Sequence, residues 1–159
     1  MKNAMTILAA AAGMLAFRAE AGSAYFKIQG NSCHSTTAGV PAIPTRYGIY
    51  NASSSKAMEV ICPVQAPDAQ FTYGYIGFAA YQRNPNDALS CTLNFTSPDG
   101  NGWQTAVASL ANTSPYVQYA SRYVYPASGN DNVWIGCHIP ASVNGNNSYL
   151  SRVIFSLNW

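Results

Sequence analysis

Two runs with cysteine inside a strict every-other-residue apolar pattern leave this chain little choice of fold class. In the first, Leu89, Cys91, Leu93 and Phe95 alternate with Ser90, Thr92, Asn94 and Thr96. In the second, Val133, Ile135, Cys137 and Ile139 fall on one side of an extended segment and Trp134 and His138 on the other. An extended backbone sends successive side chains to opposite faces, so each run reads as a half-buried strand with its cysteine on the buried face. After the first run, Ser97-Pro98-Asp99-Gly100-Asn101-Gly102 supplies residues that favour turns, and Trp103 opens the next strand. The pattern predicts an antiparallel β protein whose cysteines tie its inner faces together.

The beginning of the chain follows a different rule. Lys2 gives a short basic start, residues 4–17 are apolar and rich in Ala, Leu and Met, and Ala19-Glu20-Ala21 has the small-x-small form of a cleavage site. Residues 1–21 are therefore expected to be a signal peptide, with cleavage after Ala24 as the alternative. The apolar run is short of the roughly 20 residues that span a bilayer. The mature chain would be residues 22–159, one domain without a membrane span, secreted or periplasmic or on the cell surface.

Behind an export signal, Cys33, Cys62, Cys91 and Cys137 read as two disulfides. Their wide spacing does not suit zinc, which needs close pairs. Four cysteines allow three connectivities, of which joining sequence neighbours, Cys33 to Cys62 and Cys91 to Cys137, is the simplest. Charged residues are only 9% of the chain. With Lys2, Arg18 and Glu20 set aside, six basic and five acidic side chains remain, scattered without a basic patch, so nucleic acid is not expected as a partner.

Alternation and turn residues place strands at 25–29, 46–50, 56–62, 71–82, 89–96, 103–110, 117–125, 133–139 and 149–159, with 30–44 read as loop. Gly74 and Gly77 suggest a bulge or sharp twist in the aromatic strand. Tyr149, Ser151, Val153, Phe155 and Leu157 alternate against Leu150, Arg152 and Ile154. Asn144-Gly145-Asn146-Asn147 is a turn signal of the hairpin kind. Strands at this spacing, with no helix in the mature chain, predict an all-β, single-domain antiparallel β-sandwich with two disulfides; a β-barrel is the alternative.

Gly48-Ile49-Tyr50-Asn51-Ala52-Ser53, Val60-Ile61-Cys62-Pro63, Ser90-Cys91-Thr92-Leu93, Gly136-Cys137-His138-Ile139-Pro140 and the Ser148-led last strand together resemble a group of small exported bacterial β proteins of unknown function. The resemblance spans about residues 31–156. It implies export and a small all-β domain, and brings no catalytic residues.

A search of the residues for chemistry yields little. There is no G-x-S-x-G elbow. His34 and His138 each follow a cysteine, but neighbours on a strand face opposite ways, so neither pair makes a metal site. Asp68, Asp87, Asp99 and Asp131 sit in turn-like stretches that explain them, and Glu59 alone is placed mid-strand. The oxygen-rich runs 99–102 and 130–132 each carry a single carboxylate, short of a calcium loop. No catalytic residue, metal or cofactor is expected, and the chain reads as a non-enzymatic exported protein, structural or cell-envelope-associated. The alternative is a carbohydrate-binding module. The aromatics are too many to be buried together, and amphipathic rings beside Asn and Gln suit sugar rings and hydroxyls. Trp103, Trp134, Tyr123 and Tyr125 are the candidate ligand-binding residues, with surface polysaccharide or self-assembly as the partners.

Overall fold

The computed structural model describes residues 22–40, 42–65, 71–96, 103–125 and 132–159, with the backbone alone at Trp103. The expected signal peptide, the turn after the first cysteine strand and the run 130–131 lie outside the described residues. The rest is a two-sheet antiparallel sandwich of strands β1 (Ser23–Gln29), β2 (His34–Ser35), β3 (Ala42–Thr45), β4 (Gly48–Asn51), β5 (Met58–Cys62), β6 (Tyr73–Tyr81), β7 (Leu89–Thr96), β8 (Trp103–Leu110), β9 (Gln118–Val124), β10 (Asn132–Ile139) and β11 (Tyr149–Asn158). Sheet A runs β3-β4-β11-β6-β9, and β1 also pairs with β11; sheet B runs β2-β5-β10-β7-β8. The hydrogen-bonded orders stay separate, which makes the architecture a sandwich and not a barrel.

The alternation seen in the sequence becomes the core. Leu89, Cys91, Leu93 and Phe95 of β7 and Ile135, Cys137 and Ile139 of β10 are fully buried, and they face Ile76, Phe78, Val153, Phe155 and Leu157 from sheet A. Each such side chain contributes about 1.5–3 kcal/mol by leaving water. Phe95 reaches across to sheet A over Gly74, where an added Cβ would lie 2.5 Å from the Phe95 ring.

The two disulfides join Cys33 to Cys62 and Cys91 to Cys137. Their placement corrects the expectation that they tie the two inner faces together. Cys91 and Cys137 are directly opposed on neighbouring strands, and Cys33 leads into β2 beside the end of β5, so both bonds lie within sheet B. Among the described residues the two sheets are held to each other by packing and hydrogen bonds.

Four further points differ from the strand assignment. Residues 30–44 contain β2 and most of β3, both too short to show a period. Arg46 and Tyr47 are the two-residue turn of the β3–β4 hairpin, not the start of a strand. The aromatic strand β6 keeps an unbroken register with β9; the bulge is in β11, where Leu150 pairs with Ala80 and Arg152 with Ala79, leaving Ser151 extra. That extra residue reverses the alternation, so Leu150 points inward together with Val153, Phe155 and Leu157. Finally, the Asn144-Gly145 turn closes a single bridge between Val143 and Asn146 inside a longer connection.

The bulge sits where β11 changes partner. One edge of β11 pairs with β1 along residues 152–158 and with β4 at Tyr149 and Leu150. The chain leaves that edge at Gly30 and returns to it at Gly48. An added Cβ would stand 2.0 Å from the Leu150 carbonyl oxygen at the first and 2.1 Å at the second, and Gly48 also has φ of 133°.

Two residues of the quoted motifs, Asn51 and Ser148, have buried hydrogen-bonding roles. Asn51 is fully buried; its Nδ2 donates to the carbonyls of Lys56, Ile139 and Pro140, and its Oδ1 accepts from the Ser53 N–H. It therefore clamps the end of β4 in sheet A to the end of β10 in sheet B. Ser148, also fully buried, donates to Gln82 Oε1 and accepts from the Arg83 N–H. Buried polar groups satisfied in this way fix the loops at one end of the sandwich.

Candidate functional site

The outer face of sheet A is a field of tyrosines, and its composition follows from register. Side chains on one face of a sheet line up in rows across neighbouring strands. One row runs Tyr25, Ser156, Tyr75, Tyr123 across β1, β11, β6 and β9. On one side of it, Ser23, Asn158 and Tyr73 line up, with Tyr125 just past the end of β9. On the other side come Lys27, Ile154, Gly77 and Ser121, then Gln29, Arg152, Ala79 and Tyr119. A last row is Tyr50, Tyr149 and Tyr81.

Tyr73, Tyr75, Tyr123 and Tyr125 form one cluster. Ring centroids are 4.9 Å apart for Tyr75 and Tyr123, and 5.5 Å for Tyr73 with each of Tyr123 and Tyr125. Tyr123 and Tyr125 are 56% and 72% exposed, and Tyr25 and Tyr119 are similarly open. Gly77 makes room for Tyr75, whose hydroxyl would lie 2.8 Å from a Cβ there. Tyr75 and Tyr119 wall a shallow depression of about 110 Å3 floored by Gly77, Ser121 and Ile154. Desolvation and the neighbouring Tyr123, Tyr125 and Tyr75 hydroxyls push the Tyr73 phenol above its ordinary value. Arg152 lies 5.7 Å from the centre of the Tyr119 ring and donates to its hydroxyl. Rings set at different tilts with serine, asparagine and cations between them can stack on sugar faces and bond hydroxyls.

The four aromatic candidates from sequence do not share a site. Tyr123 and Tyr125 belong to this field. Trp134 and the backbone position of Trp103 are on sheet B, opposite Asn94 and Thr96 respectively. Trp134 is 39% exposed and its ring lies back over Gly136, 3.0 Å from where a Cβ would stand. Nearby, Thr105 donates to Asn94, Asn94 to Thr92, and Thr92 to the Gly136 carbonyl. Those polar groups bind one another. Tyr73, Tyr75 and Tyr119 of this field are not among the four sequence candidates, although two-residue and four-residue spacing puts each on one strand face with a neighbour.

Sheet B carries one charged cluster that the sequence reading missed. His138 Nδ1 is 2.5 Å from Glu59 Oε1, and Nε2 is 2.8 Å from Asp87 Oδ2. Asp87 thus does more than bond its own turn. Glu59 is opposed to His138 in the register of β5 and β10, whereas Asp87 comes from the loop before β7. Burial alone would lower the His138 pKa, but hydrogen bonds and charge from both carboxylates outweigh it, and the net shift is upward. A raised folded pKa stabilises the protein fully below the unfolded value near 6.5 and is lost as pH rises through the folded value. Both carboxylates are open to solvent, which keeps the effect to about 1 kcal/mol or less. Urea unfolding should therefore give a higher midpoint at about pH 6 than at about pH 9, with His138→Gln removing part of that difference. An unchanged difference in the variant would show that other groups set it. Among the described residues, no group of three His, Cys, Asp or Glu side chains is placed to hold a metal ion.

No protein-family model matches the chain, and no curated protein matches it in sequence. Solved structures do match in fold. A xylan-binding module, CBM15, superposes with a TM-score of 0.57 at 9% identity, covering 86% of this chain and 97% of the module. The enzymatically active domain of tailspike protein 4 of bacteriophage CBA120 superposes with a TM-score of 0.52 at 12% identity, covering 84% of this chain; this chain spans 19% of that one. The protein is thus a two-sheet β-sandwich similar in architecture to a carbohydrate-binding module. Its disulfides are consistent with an oxidising compartment, and no helix among the described residues is long and apolar enough to cross a membrane.

Proposed function

We propose that this chain is an exported, non-catalytic protein that binds polysaccharide through the tyrosine-bearing outer face of sheet A. The observation that carries the reading is the alignment of Tyr25, Tyr75 and Tyr123 across four strands, with Tyr73, Tyr125 and Tyr119 beside them. Burying these rings against one another would satisfy packing, yet Tyr25, Tyr119, Tyr123 and Tyr125 remain more than half exposed. An open, ringed face rimmed by hydrogen-bonding groups is a surface with unspent contact area. The superposition with a xylan-binding module supports the reading at the level of architecture. A cell-envelope role follows where the bound glycan belongs to the envelope, and self-assembly through the same face is the competing use.

Retention on insoluble polysaccharides, peptidoglycan included, tests this directly. Saturable binding is expected, with Tyr75→Ala and Tyr123→Ala each weakening it about tenfold or more, or about 1.4 kcal/mol. Trp134→Ala should leave it unchanged. Retention lost in Trp134→Ala and kept in the tyrosine variants would move the site to sheet B. No retention on any glycan, with concentration-dependent sedimentation, would replace glycan binding by self-assembly.

A further inference from the structure

At the β3–β4 end of sheet A, the tyrosine face deepens into a pocket of about 240 Å3 lined by Tyr47, Tyr81, Tyr149 and Arg83. Tyr149 packs 4.8 Å from Tyr50 and 6.2 Å, edge-on, from Tyr81, so two walls are fixed by neighbouring rings. The Arg83 backbone is held by the buried Ser148 hydroxyl, which is itself tied to Gln82. Of the guanidinium donors, one reaches the Pro115 carbonyl at 3.4 Å. Next to the pocket, the Arg46 guanidinium lies 4.5 Å from the Tyr47 ring centroid. Lys27 and Arg152 stand on the same outer face, and the described carboxylates Glu59 and Asp87 are both engaged with His138 on sheet B. Among the described residues, no lysine or arginine lies within 4.0 Å of the Glu59 or Asp87 carboxylate.

We infer that this pocket takes a carboxylate-bearing sugar, a uronate residue, of a polysaccharide laid along the tyrosine face; the inference rests on the glycan-binding reading above. The volume is below the usual range of about 300–1,000 Å3 for drug-sized ligands and suits a single sugar ring. The tyrosine walls offer that ring apolar faces and phenol donors. Arg83 offers a planar fork that matches a carboxylate in a way a lysine would not. A neutral sugar would leave the fork without its best partner, so the acid form is the preferred occupant.

The test compares two polymers with one backbone. Affinity electrophoresis of the full chain through polygalacturonate and through its methyl ester should show at least tenfold tighter binding to the acid. The preference should shrink with added salt and fall below about twofold in Arg83→Gln, with Arg83→Lys between the two. If Arg83→Gln fails to fold, competition on the wild-type chain decides: free galacturonate should displace the polymer at lower concentration than galactose. Equal binding to acid and ester, or equal competition, overturns the inference. So does retention by dextran sulfate as tight as by polygalacturonate, which would make the pocket a general polyanion site. Binding to neutral xylan without acid preference defeats this inference alone, and binding to no glycan defeats the reading it rests on.

Discussion

Gly48→Ala should cost at least about 3 kcal/mol and leave little native protein at moderate urea. Two effects add. The left-handed backbone at φ 133° disfavours any Cβ, and that Cβ would stand 2.1 Å from the Leu150 carbonyl oxygen. Overpacking against a flexible side chain costs about 1–3 kcal/mol, but here the neighbour is main chain at the β11 bulge and has nowhere to go. Gly30→Ala isolates the second effect, since Gly30 meets the same oxygen at 2.0 Å without a left-handed φ. Gly39→Ala isolates the first: φ is 76° and nothing lies within 4 Å. Its cost should be about 1–2 kcal/mol. Urea unfolding of the three variants ranks them, with Gly39→Ala the mildest. Should Gly30→Ala lie within about 1 kcal/mol of wild type, the junction of β1 and β4 on β11 is looser than described.

The second large effect is covalent. Removing the Cys91–Cys137 bond by paired substitution to alanine is expected to lower stability by about 4 kcal/mol, and removing Cys33–Cys62 by about 3.5 kcal/mol. These values follow from the loop entropy released to the unfolded chain for separations of 46 and 29 residues. Domains of this size have about 5–15 kcal/mol in all, so losing both bonds should leave the chain largely unfolded at 37 °C. The bonds are buried, with Cys91 and Cys137 at 0% and 1% exposure, so mild reductant should act slowly on the folded protein. A loss below about 1 kcal/mol for the Cys91–Cys137 pair would mean that the strands β7 and β10 stay associated in the unfolded ensemble and that the loop-entropy account fails here.

What the sequence made legible, and what it hid, divides along the reach of each signal. Cys91 and Cys137 could be placed because the residues at two-residue spacing around them are apolar, and a strand's two faces are a local property. The β11 bulge could not, because Ser151 is extra only in relation to Ala79 and Ala80, some seventy residues earlier. The same limit governed the site. Tyr73 and Tyr75 share a strand face by spacing, as do Tyr119 and Tyr123, but that β6 lies between β9 and β11 is decided by long-range pairing. Alternation does place Trp134 on the face away from Val133, Ile135 and Cys137, but that this outward face belongs to the other sheet is again a matter of long-range pairing. Nothing local joins His138, Glu59 and Asp87, three residues that meet only through β5, β10 and the loop before β7. Asn51 and Ser148, which stand in the motifs of the resemblance, are buried hydrogen-bonding clamps, a role that only the folded chain displays.

The pairing of Gly22 with Trp159, each N–H donating to the other's carbonyl, places both ends of the described chain side by side on one rim of sheet A. Tension applied through those ends would pull at right angles to the β1–β11 ladder. The rungs would then open one after another from Ser23 and Asn158, like a zip, instead of sharing the load. A copy anchored at one end and pulled from the other would yield gently at this seam. The disulfides, both in sheet B, lie off that line of force. One held by its tyrosine face would instead be gripped across β1, β11, β6 and β9, so the load would spread beyond the two strands of the zip.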